Sequence, residues 1–339
     1  MLSYYYTTMQ RILVILVWIS CCGYALPRVP PRFNSKNLPS SNVQGHYNIS
    51  SREVDDLRPI DRVPYIDFNS GRSITSRRPN VCNNCVCGVG RKTRIVGGNV
   101  TSVHEYPWIV SISNKGTFYC AGSLITRKHV LTAAHCMEGF DIRSIKLVLA
   151  DNDRKSLDKN AIVRRVKSVV IHENFHTYTF NNDIAIIEMD HPVDVNGIVR
   201  TACLPEDKAI DYTGATATVI GWGRTGENQK VSDELRKVNL PILSQEECDQ
   251  AGYQKNRITE NMFCAGYLEG ELDACFGDSG GPLHVRGTFG HLELVGIISW
   301  GRGCARPKFP GIYTKLTNYL GWLKDHLDDE CVCPPPRKY

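Results

Sequence analysis

Beyond residue 94 the apolar residues arrive in short runs separated by turn-forming residues: WIVSIS, SLIT, IKLVLA, SVVI, IAIIEM, ATVIGW and LELVGIISW. Runs of four to nine residues, rich in β-branched side chains, predict short strands of an antiparallel sandwich or barrel. Helices are scarce. Ser244-Gln245-Glu246-Glu247 has the Ser and Glu of a capping box at the required spacing. Leu316, Leu320, Leu323 and Leu327 form one apolar stripe, which predicts a closing helix docked on the strands.

The first part of the chain has a different texture. Arg11 precedes ILVILVWISCCGYAL, an apolar run that ends in small residues at Gly23 and Ala25. Its length falls short of the ~20 residues of a spanning helix and suits a secretory signal at 1–25, with a signal anchor as the alternative. No other segment is long and apolar enough to span a membrane. Residues 26–94 are rich in Pro, Ser, Asn and Arg without a sustained apolar period, so they read as a flexible pro-segment. Asn48-Ile49-Ser50 and Asn99-Val100-Thr101 are glycan acceptor sequences.

Charge follows the same division. Residues 26–94 hold 12 Lys and Arg against 5 Asp and Glu, whereas residues 95–339 hold 27 against 30. The formal net charge of +5 therefore sits in the leading segment. That segment lacks the interleaved aromatics of a single-strand binder, so a nucleic-acid function is excluded. Fourteen cysteines in 339 residues point to an oxidising compartment, and twelve remain once Cys21 and Cys22 leave with the signal.

Three motifs carry chemistry. DACFGDSGGP puts Ser279 among glycines, where the backbone can bend tightly and a substrate can come close. A serine hydroxyl is a poor nucleophile unless a base takes its proton and donors hold the developing oxyanion. LTAAHC offers His135 as that base, and FNNDIAIIEM offers Asp183 to fix its tautomer. His, Asp, Ser is one of the known chain orders for such a triad.

With these residues in view, the chain resembles the trypsin-like serine proteases of the chymotrypsin family. The resemblance runs from IVGG at Ile95 through LTAAHC, NNDIAII, GWG, GDSGGP, SWG at Ser299 and PGIYTK at Pro310. It implies an all-β fold of two six-stranded antiparallel barrels with a C-terminal helix, spanning 95–330, followed by a Cys/Pro tail at 331–339. It implies a secreted endopeptidase with His135, Asp183 and Ser279 as catalytic residues. The amides of Gly277 and Ser279 would form the oxyanion hole, and Ser299 would contact the triad aspartate. Asp273 would lie at the base of a pocket for Arg or Lys, with Gly301 and Gly311 as its walls. Cleavage after Arg94 would free Ile95 to pair with Asp278, and another family member or this enzyme itself could make that cut.

The resemblance also implies bridges Cys120–Cys136, Cys248–Cys264, Cys275–Cys304 and Cys87–Cys203. Ala217 and Val285 stand where a further family bridge has both its cysteines. Cys82 and Cys85 are left to meet Cys331 and Cys333 in an order that sequence leaves open, and CNNC has the ligand spacing of a zinc site as the competing reading. The loop from Asp151 carries Asp153 and Asp158, but Ala161 replaces the second glutamate of the family's calcium loop, which argues against calcium. No other cofactor is implied. Phe276 departs from the polar residue common at the pocket rim, and Ala121 from the usual glycine after Cys120. Expected partners are protein substrates with Arg or Lys before the scissile bond, an upstream activating protease and a protein inhibitor. A non-catalytic homologue acting as a binding module is the alternative to an enzyme.

Overall fold

The structure, a computed structural model, describes residues 81–90, 100–195, 197–270, 272–327 and 330–337. The expected positions Asn48, Arg94, Ile95 and Asn99 lie outside them.

Six strands close into a first barrel: β1 (Ile109–Asn114), β2 (Thr117–Leu124), β3 (His129–Thr132), β4 (Ile145–Leu149), β5 (Ile162–Ile171) and β6 (Ala185–Met189). Their order is β1-β2-β3-β6-β5-β4, closed on itself. The two-residue period is plain in β4, where Ile145, Leu147 and Leu149 are buried while Lys146 faces out. Alternation of this kind gives one filled interior, with Ile112, Leu124, Leu131 and Ile186 among its fully buried side chains.

The second sheet comprises β7 (Thr216–Gly221), β8 (Arg236–Pro241), β9 (Met262–Ala265), β10 (Pro282–Arg286), β11 (Leu292–Trp300) and β12 (Gly311–Lys315). Its antiparallel order is β8-β7-β10-β11-β12-β9. The seam between β8 and β9 is joined by an isolated Ile242–Ala265 bridge and by amides of Leu243 and Gly266 that donate to Cys264 and Pro241 carbonyls. The chain is thus two six-stranded barrel-like sheets. Val285 on β10 stands opposite Ala217 on β7, so the two positions of the lost family bridge are cross-strand neighbours filled by apolar side chains.

Between the sheets, the Trp108 indole N–H donates to His284 Nε2 at 2.7 Å, and both residues are fully buried. Burial pulls the His284 pKa down to about 3, which keeps the ring a neutral acceptor. This contact ties the segment entering β1 to β10.

Helix α1 (Gln245–Asp249) starts on the expected capping box: Ser244 Oγ accepts the Glu247 amide, and Glu247 accepts the Ser244 amide. Caps of this type stabilise a short helix by about 1 kcal/mol. The C-terminal leucine stripe is divided between a 3₁₀ turn (Leu316–Tyr319) and α2 (Leu320–His326). Leu316, Leu323 and Leu327 are buried and Leu320 only half-buried, because the tighter turn rotates it off the stripe.

Six disulfides are formed: Cys82–Cys331, Cys85–Cys333, Cys87–Cys203, Cys120–Cys136, Cys248–Cys264 and Cys275–Cys304. With their sulfurs paired in this way, Cys82, Cys85 and Cys333 offer no thiolate to a metal. The Cys82 amide donates to the Val332 carbonyl and the Cys87 amide to Pro334, so segment 81–90 and the tail lie side by side. None of the helices among the described residues is long and apolar enough to cross a membrane.

Candidate active site

His135 sits in a 3₁₀ turn (Ala134–Cys136) immediately after β3, pinned by the Cys120–Cys136 bridge. Asp183 lies just before β6, fully buried. The His135 amide donates to Asp183 Oδ1 at 2.9 Å, and the ring Nδ1 lies 2.7 Å from Asp183 Oδ2. An ionised carboxylate can only accept, so Nδ1 is the donor to Asp183, and in the neutral ring Nε2 is the nitrogen left with its lone pair. Ser299 Oγ on β11 also donates to Asp183 Oδ2, and Thr314 Oγ1 on β12 donates to its backbone carbonyl at 2.8 Å. The second sheet therefore completes the donor set of an aspartate that belongs to the first.

Ser279 comes from the turn before β10. Its carbonyl accepts the Ala121 amide of β2 at 2.8 Å, which docks the turn against the first barrel. Two glycines allow that approach. Gly277 has φ of +101°, and Gly280 has φ of +76° with no room for a Cβ, which would meet Thr132 Oγ1 at 2.2 Å. Among the described residues the amides of Gly277 and Ser279 have no protein acceptor. No hydrogen bond there joins the Ser279 hydroxyl to His135, and such pairs commonly close only when substrate arrives.

His135, Ser279, Ser299, Gly301, Gly311 and Asp273 line one cavity of about 220 Å³. Asp273 accepts the Ala274 amide at 2.8 Å and the Ala305 amide at 3.1 Å. Burial pushes its pKa up to about 7, the two amides offset part of that rise, and nearby Asp278 adds to it. Asp273 is the only carboxylate among the described lining residues, and it lacks a cation. At Gly311 an added Cβ would stand 2.9 Å from Asp273 Oδ1, whereas at Gly301 its nearest neighbour would be 3.8 Å away.

Asp278 is buried one residue before Ser279. Its Oδ1 accepts the Gly223 amide at 2.7 Å and its Oδ2 the Cys275 amide at 2.9 Å. Burial pushes this carboxyl up to about 6. The GWG motif has a steric reason here: Cβ atoms on Gly221 and Gly223 would both overlap the Asp278 carboxylate. A second cavity, of about 170 Å³, is lined by Asp278, Gly223, Arg224 and Cys275. The Asp151 loop closes on itself, with Asp151, Asp153 and Asp158 each accepting an amide of that loop.

Sequence reasoning missed Phe180, edge-on to the His135 ring at 5.5 Å, and Thr314. Phe180 was within view, because FNND sets it three residues before Asp183. Phe276 is half-exposed on the cavity rim with the Arg224 guanidinium 5.5 Å over its ring.

Comparison with known proteins agrees with this geometry. A family model described as Trypsin matches residues 95–323. The clotting factor G beta subunit of Tachypleus tridentatus is 36% identical over 270 residues, covering 76% of this chain and 87% of that protein. Proclotting enzyme of the same organism is 37% identical over 258 residues, covering 71% and 69%. Serine protease filzig of Drosophila melanogaster is 37% identical over 273 residues, covering 77% of this chain but 15% of that much longer protein. The match over most of its length, on a fold of two barrel-like sheets, makes this chain a member of the trypsin family of serine proteases.

Proposed function

We propose that the chain is the secreted zymogen of an endopeptidase that cuts after Arg or Lys, through an acyl-enzyme on Ser279. The observation that carries this reading is the single cavity whose lining brings together Ser279, His135 and half-buried Asp273. Ser279 attacks the scissile carbonyl, and His135 Nε2 takes its proton and later gives it to the leaving amine. Asp183 holds the ring in that tautomer and stabilises the imidazolium. The Gly277 and Ser279 amides receive the oxyanion, each donor supplying roughly 3 kcal/mol. Asp273 pairs with the substrate cation, which draws its carboxyl back to the ionised form.

Cleavage after Arg94 frees Ile95, whose ammonium pairs with Asp278 in the cavity beside it. A buried carboxylate without a cation among the described residues supports that role, since the pair is strong only with good geometry. The three bridges of Cys82, Cys85 and Cys87 then keep the leading segment attached. The leader at 1–25, the twelve remaining cysteines and the glycan acceptors Asn48 and Asn99 support an extracellular setting. The clotting names of the two Tachypleus relatives support a role in a proteolytic cascade with an upstream activator and protein substrates, and a protein inhibitor is a further partner of this proposal. Calcium has no part in this proposal.

The test is turnover. The purified chain is cleaved at Arg94 and offered peptide amides with Arg, Lys, Leu or Glu before the scissile bond. The proposal expects cleavage of the first two alone. Absence of any turnover would favour the non-catalytic homologue.

A further inference from the structure

One side of the cleft is built as a continuous ladder of rings and guanidinium groups. Tyr178, from the loop that carries Phe180, lies 5.5 Å from the Arg257 guanidinium, which lies 4.8 Å over the Trp300 ring. Trp300 packs edge-on to Tyr253 at 5.0 Å, and Tyr253 packs on Phe309 at 5.2 Å. The Arg302 guanidinium closes the series 4.7 Å over Phe309. Trp300 lines the substrate cavity beside Ser299 and Gly301, and the Tyr253 hydroxyl is 3.9 Å from where a Gly301 Cβ would be.

The two guanidinium groups of this ladder differ from their neighbour. Arg306 is held by Glu227 through two hydrogen bonds. Among the described residues, neither Arg257 nor Arg302 has a carboxylate within ion-pair distance, and Arg257 spends one donor on the Tyr178 carbonyl at 2.7 Å. A guanidinium stacked face-on against rings keeps its edge N–H groups available, in a fork that matches a carboxylate. Stacking also fixes its position, so little freedom remains to be lost on binding. The surface beside the cavity, behind Trp300 and Gly301, therefore carries positive charge, whereas the lining itself carries Asp273.

We propose that Arg257 and Arg302 select substrates with an acidic side chain within the three residues before the scissile Arg. This rests on the reading of Asp273 as the acceptor of that Arg. One consequence concerns the chain itself. Its own activation site reads Arg91-Lys92-Thr93-Arg94, with the opposite charge at two of those three positions. The active enzyme cuts that site poorly, and activation depends on a protease of different preference.

The experiment uses the chain cleaved at Arg94 and fluorogenic peptide amides ending in Arg. Glu, Gln or Lys is placed at each of the three preceding positions, with an Arg-Lys-Thr-Arg amide as a further member. The expected result is kcat/KM about tenfold higher for Glu than for Lys at one position or more, carried by KM, from one charge-assisted contact. Arg257→Glu with Arg302→Glu should reverse that order while inhibition by benzamidine, which fills only the Asp273 pocket, stays within twofold. Salt at about 0.5 M should weaken the wild-type preference severalfold, because the screening length there is only a few ångströms. If the double variant fails to fold, Arg257→Gln and the salt dependence decide. Glu and Lys peptides cleaved within twofold of each other at every position would overturn the proposal, as would an order untouched by the variants. If no Arg peptide at all is cleaved, the reading of Asp273 falls and this proposal with it.

Discussion

The two halves of the candidate active site are held by different means. The His135–Asp183 half hangs on strand ends of the closed first barrel, and Asp183 draws donors from His135, Ser299 and Thr314. The Ser279 half is a turn of the second sheet, shaped by glycines at positive φ, by the Cys275–Cys304 bridge and by Asp278 folded onto the Gly223 and Cys275 amides. One half is set by side-chain contacts between sheets, the other by backbone conformation around two carboxylates, buried Asp278 and half-buried Asp273, that lack cations among the described residues. The first half is held by contacts already made, and in the proposed function the second is completed by a positive charge at each carboxylate.

That contrast can be broken most severely at its centre. Ser279→Ala should lower kcat on an Arg amide by about 10⁶-fold while benzamidine still binds, since the pocket does not depend on the hydroxyl. Asp183→Asn should cost about 10⁴-fold through the wrong His135 tautomer, measured on the same substrate. Asp273→Ser should reduce kcat/KM for Arg substrates by about 10²–10⁴-fold, the loss of one partner of a buried ion pair, and leave little preference for basic residues.

Gly311→Ala and Gly301→Ala sharpen the comparison within the pocket. The first crowds the side chains of Asp273 and fully buried Tyr313, so KM should rise by tens of fold. The second makes only ordinary contacts with Gly303 and Tyr253 and should raise KM only a few fold, by narrowing the entrance to a long basic side chain. Equal effects at both glycines would mean that the pocket is not shaped around Asp273.

The carboxylates give the second half a pH dependence. Asp273 is raised from the ordinary carboxyl value to about 7, so the folded chain holds that proton more tightly than the unfolded one. Its contribution to stability is full at low pH and is lost as pH rises through about 7. Binding of a cation requires the ionised form and runs the other way. Benzamidine affinity should fall about tenfold per pH unit below 7, and Asp273→Ser should flatten the profile. Calorimetric titration across pH 5–8 reads both. The smallest effect belongs far from the chemistry: Cys82→Ser with Cys331→Ser should leave turnover unchanged and the cleaved chain joined through Cys85–Cys333 and Cys87–Cys203, seen as one non-reduced band.

Much of this was legible in the sequence, because chemistry needs particular residue types at particular spacings. The GDSGGP, LTAAHC and NNDIAII motifs named the site, and seven apolar runs named seven strands. The other five strands were harder. β3 is four residues long and overlaps the start of the His motif, and β8 reads RKVNLP, an edge strand whose charges hide any period. Trp108 and His284 are 176 residues apart and carry no local signal of their contact. The pairing of Cys82 and Cys85 needed the side-by-side course of segment 81–90 and the tail, which only the fold supplies. The rings that stack on Arg257, Tyr178 and Trp300, come from two stretches of chain far from it and from each other, so that wall too was invisible to motif reading.

The most direct test of the central claim is covalent labelling. A phosphonate that carries a guanidine or amidine head group requires both halves at once: Asp273 to hold its cation, and His135 with Ser279 to react. After cleavage at Arg94, intact-mass analysis and peptide mapping should find one adduct per chain, on Ser279, slowed by benzamidine and nearly abolished by Asp273→Ser. No adduct, or an adduct on Ser279 that forms equally fast without Asp273, would contradict the account.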